Sequence, residues 1–479
     1  MPQPPISRLL VATFVVALPA CKSSSSSSPG VSQAAQVIAP ADAGPPPAPV
    51  AGRMRDEEVF SELRVYWTPA PRVDPKQTLH TTCARDAQGF ERIDRLVALG
   101  DRRDVAEMYV ARVALADFPV PDGEYLKSVG GVGLSPEQIA AVQKSEGPAI
   151  FDFAAPHAQA WPTLRDSAKL VDCLASATDG LIYDASTREL FTPAAWRARR
   201  LDGWKDGKSE LSRHYVTHTY PDVGGYARAV TIGLERFGLP NLVINGVLPS
   251  QTQAAGVLIM LVAARLEVAQ ALPRDGRIDL DLDEPWAQAV LPADAPLLPG
   301  AQRKARLHVS ESTPQPGDGD VRLWEIGFDG FPGADVHERQ NAAFTQLFGK
   351  DDQATYHAHD DAELNAARER ARARLPDVAA RFRAGLAPGA SLMVKAPFTV
   401  SKGNAGVEWM WVEVTEWKGH EIRGVLANQP NLLPELHQGA TVKVRQDDLF
   451  DYRLEHADGT FEGGETDAIL MKREPEKAQ

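Results

Sequence analysis

The side chains best suited to metal chemistry lie in one short segment, YHAHDDAE, at residues 356–363. His357, His359 and Asp361 alternate along it, and imidazole nitrogens and carboxylate oxygens are common ligands of divalent metals. Ala362 occupies the position where a further histidine would be needed. A helical pattern follows, so an aspartate here also fits as a helix N-cap or first-turn charge. We favour a helix start and predict no cofactor.

Two other polar patterns invite a chemical interpretation. Asp279, Asp281 and Asp283 share one face of a predicted strand, but a calcium loop needs a tight turn and ligands from several directions. His214 and His218 also share a strand face, and no carboxylate motif lies near them. We interpret the aspartates as a solvated strand face and the histidines as ordinary surface or core residues.

The N-terminus predicts export. Residues 9–18 are almost wholly apolar, a length suited to the hydrophobic region of a signal peptide and too short to cross a bilayer. The run Leu18-Pro19-Ala20-Cys21 resembles a bacterial lipobox. That resemblance implies that residues 1–20 are a lipoprotein signal peptide and that the Cys21 thiol receives a diacylglyceryl group. The alternatives are an ordinary signal peptide or a chance apolar start with a free Cys21.

Residues 21–55 are rich in serine, proline and alanine. Such a segment cannot bury enough apolar surface to offset the entropy lost on ordering, so we predict a disordered tether. A lipid on Cys21 followed by this tether predicts a lipid-anchored protein of the cell envelope, on the periplasmic or surface face of a membrane.

Composition narrows the class of partner. The chain has 479 residues and a formal net charge of −13, which argues against nucleic acid. We expect its partners to be the membrane, through the lipid, and an unknown envelope protein or ligand. If Cys21 is acylated, Cys83 and Cys173 remain, and the sequence is compatible with either a disulfide or two buried thiols.

After the tether, short β runs alternate with helical patterns. Ser135 followed by Pro136, for example, is a strong helix start. The fold class predicted is α+β, with a mixed α/β N-terminal body and a small C-terminal antiparallel β domain covered by a helix. The predicted boundaries are an α+β domain at 56–299, strands and a connecting segment at 300–350, the C-terminal domain at 351–473 and a tail at 474–479.

The C-terminal domain carries ordered landmarks. They are Lys395, Pro397-Phe398, Glu408-Trp409-Met410-Trp411, Gly424, Asn428-Gln429-Pro430, Gly439, Asp451-Tyr452, Gly463-Gly464 and Thr466. In this order they resemble the YegJ-like family of bacterial domains of unknown function. Tyr452 stands where that family usually has Trp, and Glu465 where it has Tyr. The resemblance implies a fold unit and an envelope or accessory role, and it implies no reaction or cofactor.

The same segment has a clear physical pattern. Two alternating β runs meet at Lys418-Gly419, which predicts a hairpin. Apolar residues fall on both faces of its first strand, so we expect cover on both sides. The arginines of the preceding helix, Arg368, Arg370, Arg372 and Arg374, step by two and cannot form one stripe.

Five polar or aromatic residues of this domain are candidate binding residues: Lys395, Glu408, Trp411, Asn428 and Asp451. Because unpaired polar groups beside apolar strands are costly, they either satisfy one another or border a ligand site. No catalytic residues are predicted. The sequence favours a non-enzymatic binding or accessory lipoprotein; the alternative is a metal-dependent envelope hydrolase that uses His357, His359 and Asp361.

Overall fold

The structure is a computed structural model. Besides the dipeptides 12–13 and 36–37, it describes residues 54–473, with gaps at 72, 102–103, 223–224, 270–271, 273–274, 294, 319–320, 350–361, 401–405, 431–432 and 434–435. Cys21, the metal candidates His357, His359 and Asp361, and almost all of the predicted signal peptide, tether and tail therefore lie outside the described residues. The described elements form three sheets with helices, which confirms the mixed α+β class.

Sheet 1 lies between residues 58 and 191. Its strands are β1 (Glu58–Trp67), β2 (Glu91–Ile93), β3 (Glu107–Arg112), β4 (Gly131–Val132), β5 (Ala149–Pro156), β6 (Gly180–Asp184) and β7 (Glu189–Phe191), in the order β2-β3-β5-β1-β6-β7-β4. Its helices are α1 (Pro75–His80), α2 (Ala84–Ala87), α3 (Gly123–Tyr125), α4 (Pro136–Val142), α5 (Ala160–Thr178) and α6 (Pro193–Trp196). Alternating apolar residues of β1 and β5, such as Val65 and Phe151, form a core with the apolar face of α5.

A disulfide joins Cys83, just before α2, to Cys173 in α5. Cys83 is fully buried in the core of sheet 1. Of the two arrangements that the sequence left open, the structure has the bridge.

Sheet 2 contains β8 (Val216–Pro221), β9 (Ala227–Ile232), β10 (Asn241–Val247), β11 (Arg277–Asp281), β12 (Lys304–Ser312) and β13 (Leu323–Gly327), in the order β8-β9-β10-β13-β12-β11. Its helices are α7 (Thr252–Val268), α8 (Pro285–Val290) and α9 (Val336–Phe348). α7 is apolar around most of its circumference because it is enclosed by the core of this sheet. Among the described residues, no helix is both long and apolar enough to span a bilayer.

Sheet 2 crosses the predicted domain boundary at residue 299. β12 pairs with β11 and β13 pairs with β10, so strands from both sides of that position belong to one sheet. The segment 300–350 is thus part of this unit, and residues 56–299 contain sheet 1 together with most of sheet 2. The local composition around residue 299 predicts a loop. It does not reveal which distant strands pair across that loop.

Sheets 1 and 2 are joined by a buried carboxylate. Asp184, the last residue of β6, accepts hydrogen bonds from Arg200 (Nη2 to Oδ2, 2.9 Å) and from Arg236 (Nη1 to Oδ2, 3.1 Å). Arg236 lies between β9 and β10 of sheet 2. All three side chains are at most 2% exposed. Burial alone would raise the pKa of Asp184, but the two guanidinium groups hold it well below its usual range.

Arg55, just before β1 of sheet 1, contacts the C-terminal end of α7 in the sheet 2 unit. The Arg55 guanidinium Nη2 donates to the carbonyl oxygens of Leu266 at 2.8 Å and Ala269 at 2.9 Å. A cation suits these carbonyls because they lie at the negative end of the helix dipole. Arg55, the last residue of the predicted tether, is therefore held against the C-terminus of α7.

Sheet 3 forms the C-terminal domain. Its strands are β14 (Ser391–Val400), β15 (Gly406–Lys418), β16 (Glu421–Leu426), β17 (Thr441–Arg445), β18 (Asp451–Glu455) and β19 (Phe461–Gly463), in the order β17-β16-β15-β14-β18-β19, and its helices are α10 (Ala362–Ala384) and α11 (Glu465–Arg473). The pairings among these six strands are antiparallel, and β15 and β16 form the predicted hairpin. Leu375 and Val378 of α10 pack on Val394 and Val412 of the sheet.

Sheet 3 docks on the start of α7. The Glu413 carboxylate accepts a hydrogen bond from the backbone N–H of Ser250 (2.9 Å) and another from the Ser250 hydroxyl. Nearby, the rings of Tyr226 and His337 stack with centroids 3.8 Å apart. Burial raises the pKa of Glu413, which the bonds from Ser250 oppose. The second face of β15 is thus covered, in part, by the sheet 2 unit.

Replacing Asp184 by asparagine should destabilise the protein strongly. The variant removes the ion-pair partner of the buried Arg236 and leaves the buried Arg200 with Glu189 alone, so we expect a loss of about 3–5 kcal/mol in the free energy of unfolding by urea denaturation. Since the native pKa of Asp184 is lowered, this stabilisation is present above about pH 4 and is lost as the pH falls through the native pKa.

Asp279 provides the control. It pairs with Arg306 at 2.6 Å on the surface, and its side chain is 67% exposed. Asp279→Asn should change the unfolding free energy by at most about 1 kcal/mol. Equal effects of the two substitutions would contradict the role given to Asp184.

Candidate functional site

Strand β14 brings three of the candidate residues to one place. Lys395 lies opposite Trp411 of β15 on one side and opposite Asp451 of β18 on the other. Residues paired across strands point to the same face of a sheet, so the three side chains converge. With Thr466 and Asp467 of α11 they form what we call the Lys395 cluster.

The centre of the Lys395 cluster is a buried ion pair. Lys395 Nζ donates to Asp467 Oδ1 at 2.7 Å, and Trp411 Nε1 donates to Asp467 Oδ2 at 3.0 Å. The ammonium group also lies 5.3 Å from the centroid of the Trp411 ring. Burial lowers the pKa of Lys395, against the attraction of Asp467. Because Lys395 is 0% exposed, its ammonium group is closed to a substrate from solvent.

Asp451 attaches α11 to the sheet. Its Oδ2 accepts hydrogen bonds from the backbone N–H of Thr466 at 2.9 Å and from the Thr466 hydroxyl at 2.6 Å. Its Oδ1 accepts a bond from the backbone N–H of Tyr452 at 2.8 Å. Burial raises the pKa of Asp451, and these bonds oppose that shift. The carboxylate therefore holds the first turn of α11 in place.

Asn428 joins this region and Glu408 does not. Asn428 Oδ1 accepts a hydrogen bond from the backbone N–H of Trp411 at 2.7 Å. Glu408 lies three residues before Trp411 on β15 and therefore on the opposite face of the strand. The structure thus brings together four of the five candidate binding residues.

Sequence reasoning missed Asp467. It is the acidic partner of Lys395 and was not among the five candidate binding residues. Its only local signal is an acidic position in the first turn of a helix, which is common at helix starts. The pairing becomes visible only when α11 folds back on β14.

A surface pocket of about 380 Å³ lies beside the cluster, between α10 and strands β18 and β19. We call it the α10 pocket. Its lining residues are Arg370, Ala371, Ala373, Arg374, Asp451, Tyr452, Glu462, Gly463 and Glu465. Asp451 belongs to both the pocket and the Lys395 cluster, so the two features share one residue.

Most charges around the α10 pocket have partners. Arg370 Nε pairs with Glu465 at 2.7 Å. Glu462 accepts from Arg381 at 2.8 Å and from the Tyr452 hydroxyl at 2.8 Å, and the bond from Arg381 is the main reason that the pKa of Glu462 is lowered. Arg374 is exposed and makes no hydrogen bond or ion pair with any residue in the described part of the chain.

Gly463 keeps the wall of the pocket close to the sheet. Its φ is +84°, and a Cβ atom at this position would lie 2.1 Å from the Tyr452 carbonyl oxygen. Only glycine accommodates this backbone. The landmark Gly463-Gly464 thus shapes the turn that leads from β19 into α11.

The other polar patterns have structural explanations. Asp279, Asp281 and Asp283 each pair across the strand with a basic residue, respectively Arg306, Lys304 and Arg303. His214 and His218 are both buried. Among the residues that the structure describes, no group of three or more His, Cys, Asp or Glu side chains is arranged to hold a metal ion.

The arginines of α10 contact different neighbours, as their spacing predicts. Arg368 lies over the Trp409 ring, Arg370 pairs with Glu465, and Arg372 donates to the backbone carbonyl of Asp447. Arg374 lines the α10 pocket.

Comparison with known proteins places this domain in context. Residues 361–479 match a family described as an uncharacterized protein conserved in bacteria (DUF2314). The match covers α10, sheet 3 and α11, and so includes both the Lys395 cluster and the α10 pocket. No curated protein and no solved structure matches the chain. The C-terminal segment is therefore similar to a bacterial domain of unknown function.

Asp467→Asn tests the structural role of the Lys395 cluster. The substitution leaves the buried Lys395 ammonium group without a charged partner, so we expect a loss of about 3–5 kcal/mol in unfolding free energy. Asp377→Asn is the control, since Asp377 pairs with Arg381 on the surface at 3.1 Å. It should cost at most about 1 kcal/mol. An Asp467→Asn variant as stable as this control would refute the role of the pair.

Proposed function

We propose that this chain is a lipid-anchored protein of the bacterial cell envelope that acts as a non-enzymatic binding or accessory protein. The observation that carries the proposal is the disulfide between Cys83 and Cys173. Disulfides persist in oxidising compartments outside the cytoplasm and are rare inside it. An envelope location accounts for the bridge.

The disulfide also gives Cys21 a distinct role. The chain has three cysteines, and the bridge uses two of them. An unpaired cysteine in an exported protein needs its own explanation. Cys21 follows an apolar run that resembles a lipobox and precedes a serine-rich segment suited to a tether, and both features favour lipid attachment. The anchor would lie on the periplasmic or surface face of a membrane.

The proposed assignment of the C-terminal domain is to the YegJ-like family. The landmarks Lys395, Trp411, Asp451 and Thr466 support it, because they meet in one cluster instead of being scattered over the domain. Such a shared buried cluster would explain why these residue types occur together. The role that follows is one of support for a binding surface.

Binding suits this domain better than catalysis. The Lys395 ammonium group is sealed in an ion pair, and Asp451 is occupied by Thr466 and Tyr452. Neither group is presented to a reacting atom. The α10 pocket, in contrast, opens beside them with an exposed arginine. We propose it as the binding site of the protein.

Cell fractionation with the Cys21→Ser variant tests the anchor. Wild-type protein should sediment with membranes and enter the detergent phase, whereas the variant should be soluble or unprocessed because it lacks the acylated thiol. Cys173→Ser is the matched control: it removes a cysteine from the fold and should leave the membrane fraction unchanged. Unchanged detergent partitioning of Cys21→Ser would overturn the lipid anchor.

Thiol labelling in intact cells tests the compartment. Cys83 and Cys173 should resist a maleimide reagent under denaturing conditions until a reductant is added, because they are joined in the oxidising envelope. Removing the bridge by Cys83→Ala with Cys173→Ala should cost about 2–5 kcal/mol in unfolding free energy. Immediate labelling of both thiols in the wild-type protein would contradict the envelope proposal.

A further inference from the structure

We propose that the α10 pocket binds the free carboxylate of a short peptide or an N-acylated amino acid, with Arg374 as the residue that binds the carboxylate. This inference rests on the proposed binding role of the C-terminal domain and names the class of ligand. It follows from the charges, the hydrogen-bond capacity and the size of the pocket.

Arg374 is the cation that the pocket leaves available. Arg370, one turn earlier on α10, is already paired with Glu465, and Arg381 is paired with Glu462. Arg374 lines the same pocket and attracts the Glu462 carboxylate, but it forms no ion pair or hydrogen bond with the described residues. A planar guanidinium group matches a carboxylate through two parallel hydrogen bonds. A ligand carboxylate would therefore complete the pocket.

The floor of the pocket accepts hydrogen bonds. The Asp451 carboxylate is buried and already accepts bonds from Tyr452 and Thr466, so it contributes negative charge to the pocket and no open acceptor. Glu465 and Glu462 add further carboxylate oxygens to the lining. A ligand N–H, such as that of a peptide bond, can donate to this side while its carboxylate meets Arg374.

The charge of the lining favours one carboxylate over phosphate. Three acidic residues, Asp451, Glu462 and Glu465, face two arginines. A phosphate dianion would lie close to three carboxylates and carry no N–H to donate to them. A ligand with one carboxylate and a neighbouring N–H can place the carboxylate against Arg374 and the N–H against an acidic side chain of the lining.

The size of the pocket limits the ligand. Its volume of about 380 Å³ lies at the lower end of the range for small-molecule sites, about 300–1,000 Å³. Ala371, Ala373 and Gly463 line the pocket with small residues, which leaves room for small side chains of a ligand. A dipeptide with two methyl side chains suits this space.

Calorimetric titration of the full-length protein in detergent tests the inference. The probes are N-acetyl-alanyl-alanine, the same compound as its C-terminal amide, and inorganic phosphate. We expect the acid to bind at least about 10-fold more tightly than the amide, because the amide lacks the charged acceptor for Arg374. Arg374→Gln should remove this preference for the acid.

Arg372→Gln is the matched control, because Arg372 is on the same helix and outside the pocket lining. It should leave the preference unchanged, and an unaltered melting temperature of Arg374→Gln confirms that the fold is intact. Equal binding of acid and amide, no binding of either, stronger binding of phosphate, or an equal loss in Arg372→Gln would each overturn the inference. Normal membrane anchoring alongside such a result would leave the envelope proposal standing, since fractionation does not depend on the pocket.

Discussion

The arrangement of the N-terminal body depends on one carboxylate, that of Asp184. It lies at the end of a strand of sheet 1 and binds two guanidinium groups, one of which comes from sheet 2. A charge removed from water is costly unless its partners are close and well oriented. Asp184 therefore couples the position of sheet 1 to that of sheet 2: if the sheets separate, Arg236 loses its partner inside the protein.

Buried carboxylates also form other contacts between elements that are distant in the sequence. Asp318 holds the Arg228 guanidinium at 2.7 Å in sheet 2, Glu413 receives two bonds from Ser250 between sheets 2 and 3, and Asp467 holds Lys395 within the C-terminal domain. In each case the two partners belong to elements far apart in the sequence. Apolar burial stabilises the individual units, and these directional contacts define how the elements meet.

The sequence predicted local structure well and distant pairing poorly. The hairpin at Lys418-Gly419 and the helix start at Ser135 follow from turn and capping chemistry, and both are present. For Lys395, Trp411 and Asp451, the sequence predicted only that the candidate residues would either hydrogen-bond to one another or border a ligand site. Asp467 and the continuity of sheet 2 past residue 299 could not be predicted, because each depends on which distant segments pack together. The α10 pocket also arises from such packing.

Helix α7 has a consequence for how load passes through the molecule. Arg55 donates hydrogen bonds to carbonyl groups at the C-terminal end of α7. Glu413 of the C-terminal domain accepts hydrogen bonds from Ser250, which lies just before the first turn of α7. The helix has 17 residues and is therefore about 25 Å long. Tension that arrives through residues 54–55 would pass along the backbone into β1 and, through Arg55, to one end of α7, whereas the C-terminal domain contacts the other end. A pull on the N-terminal segment therefore acts first on the sheet 1 and sheet 2 units and not on the domain with the pocket.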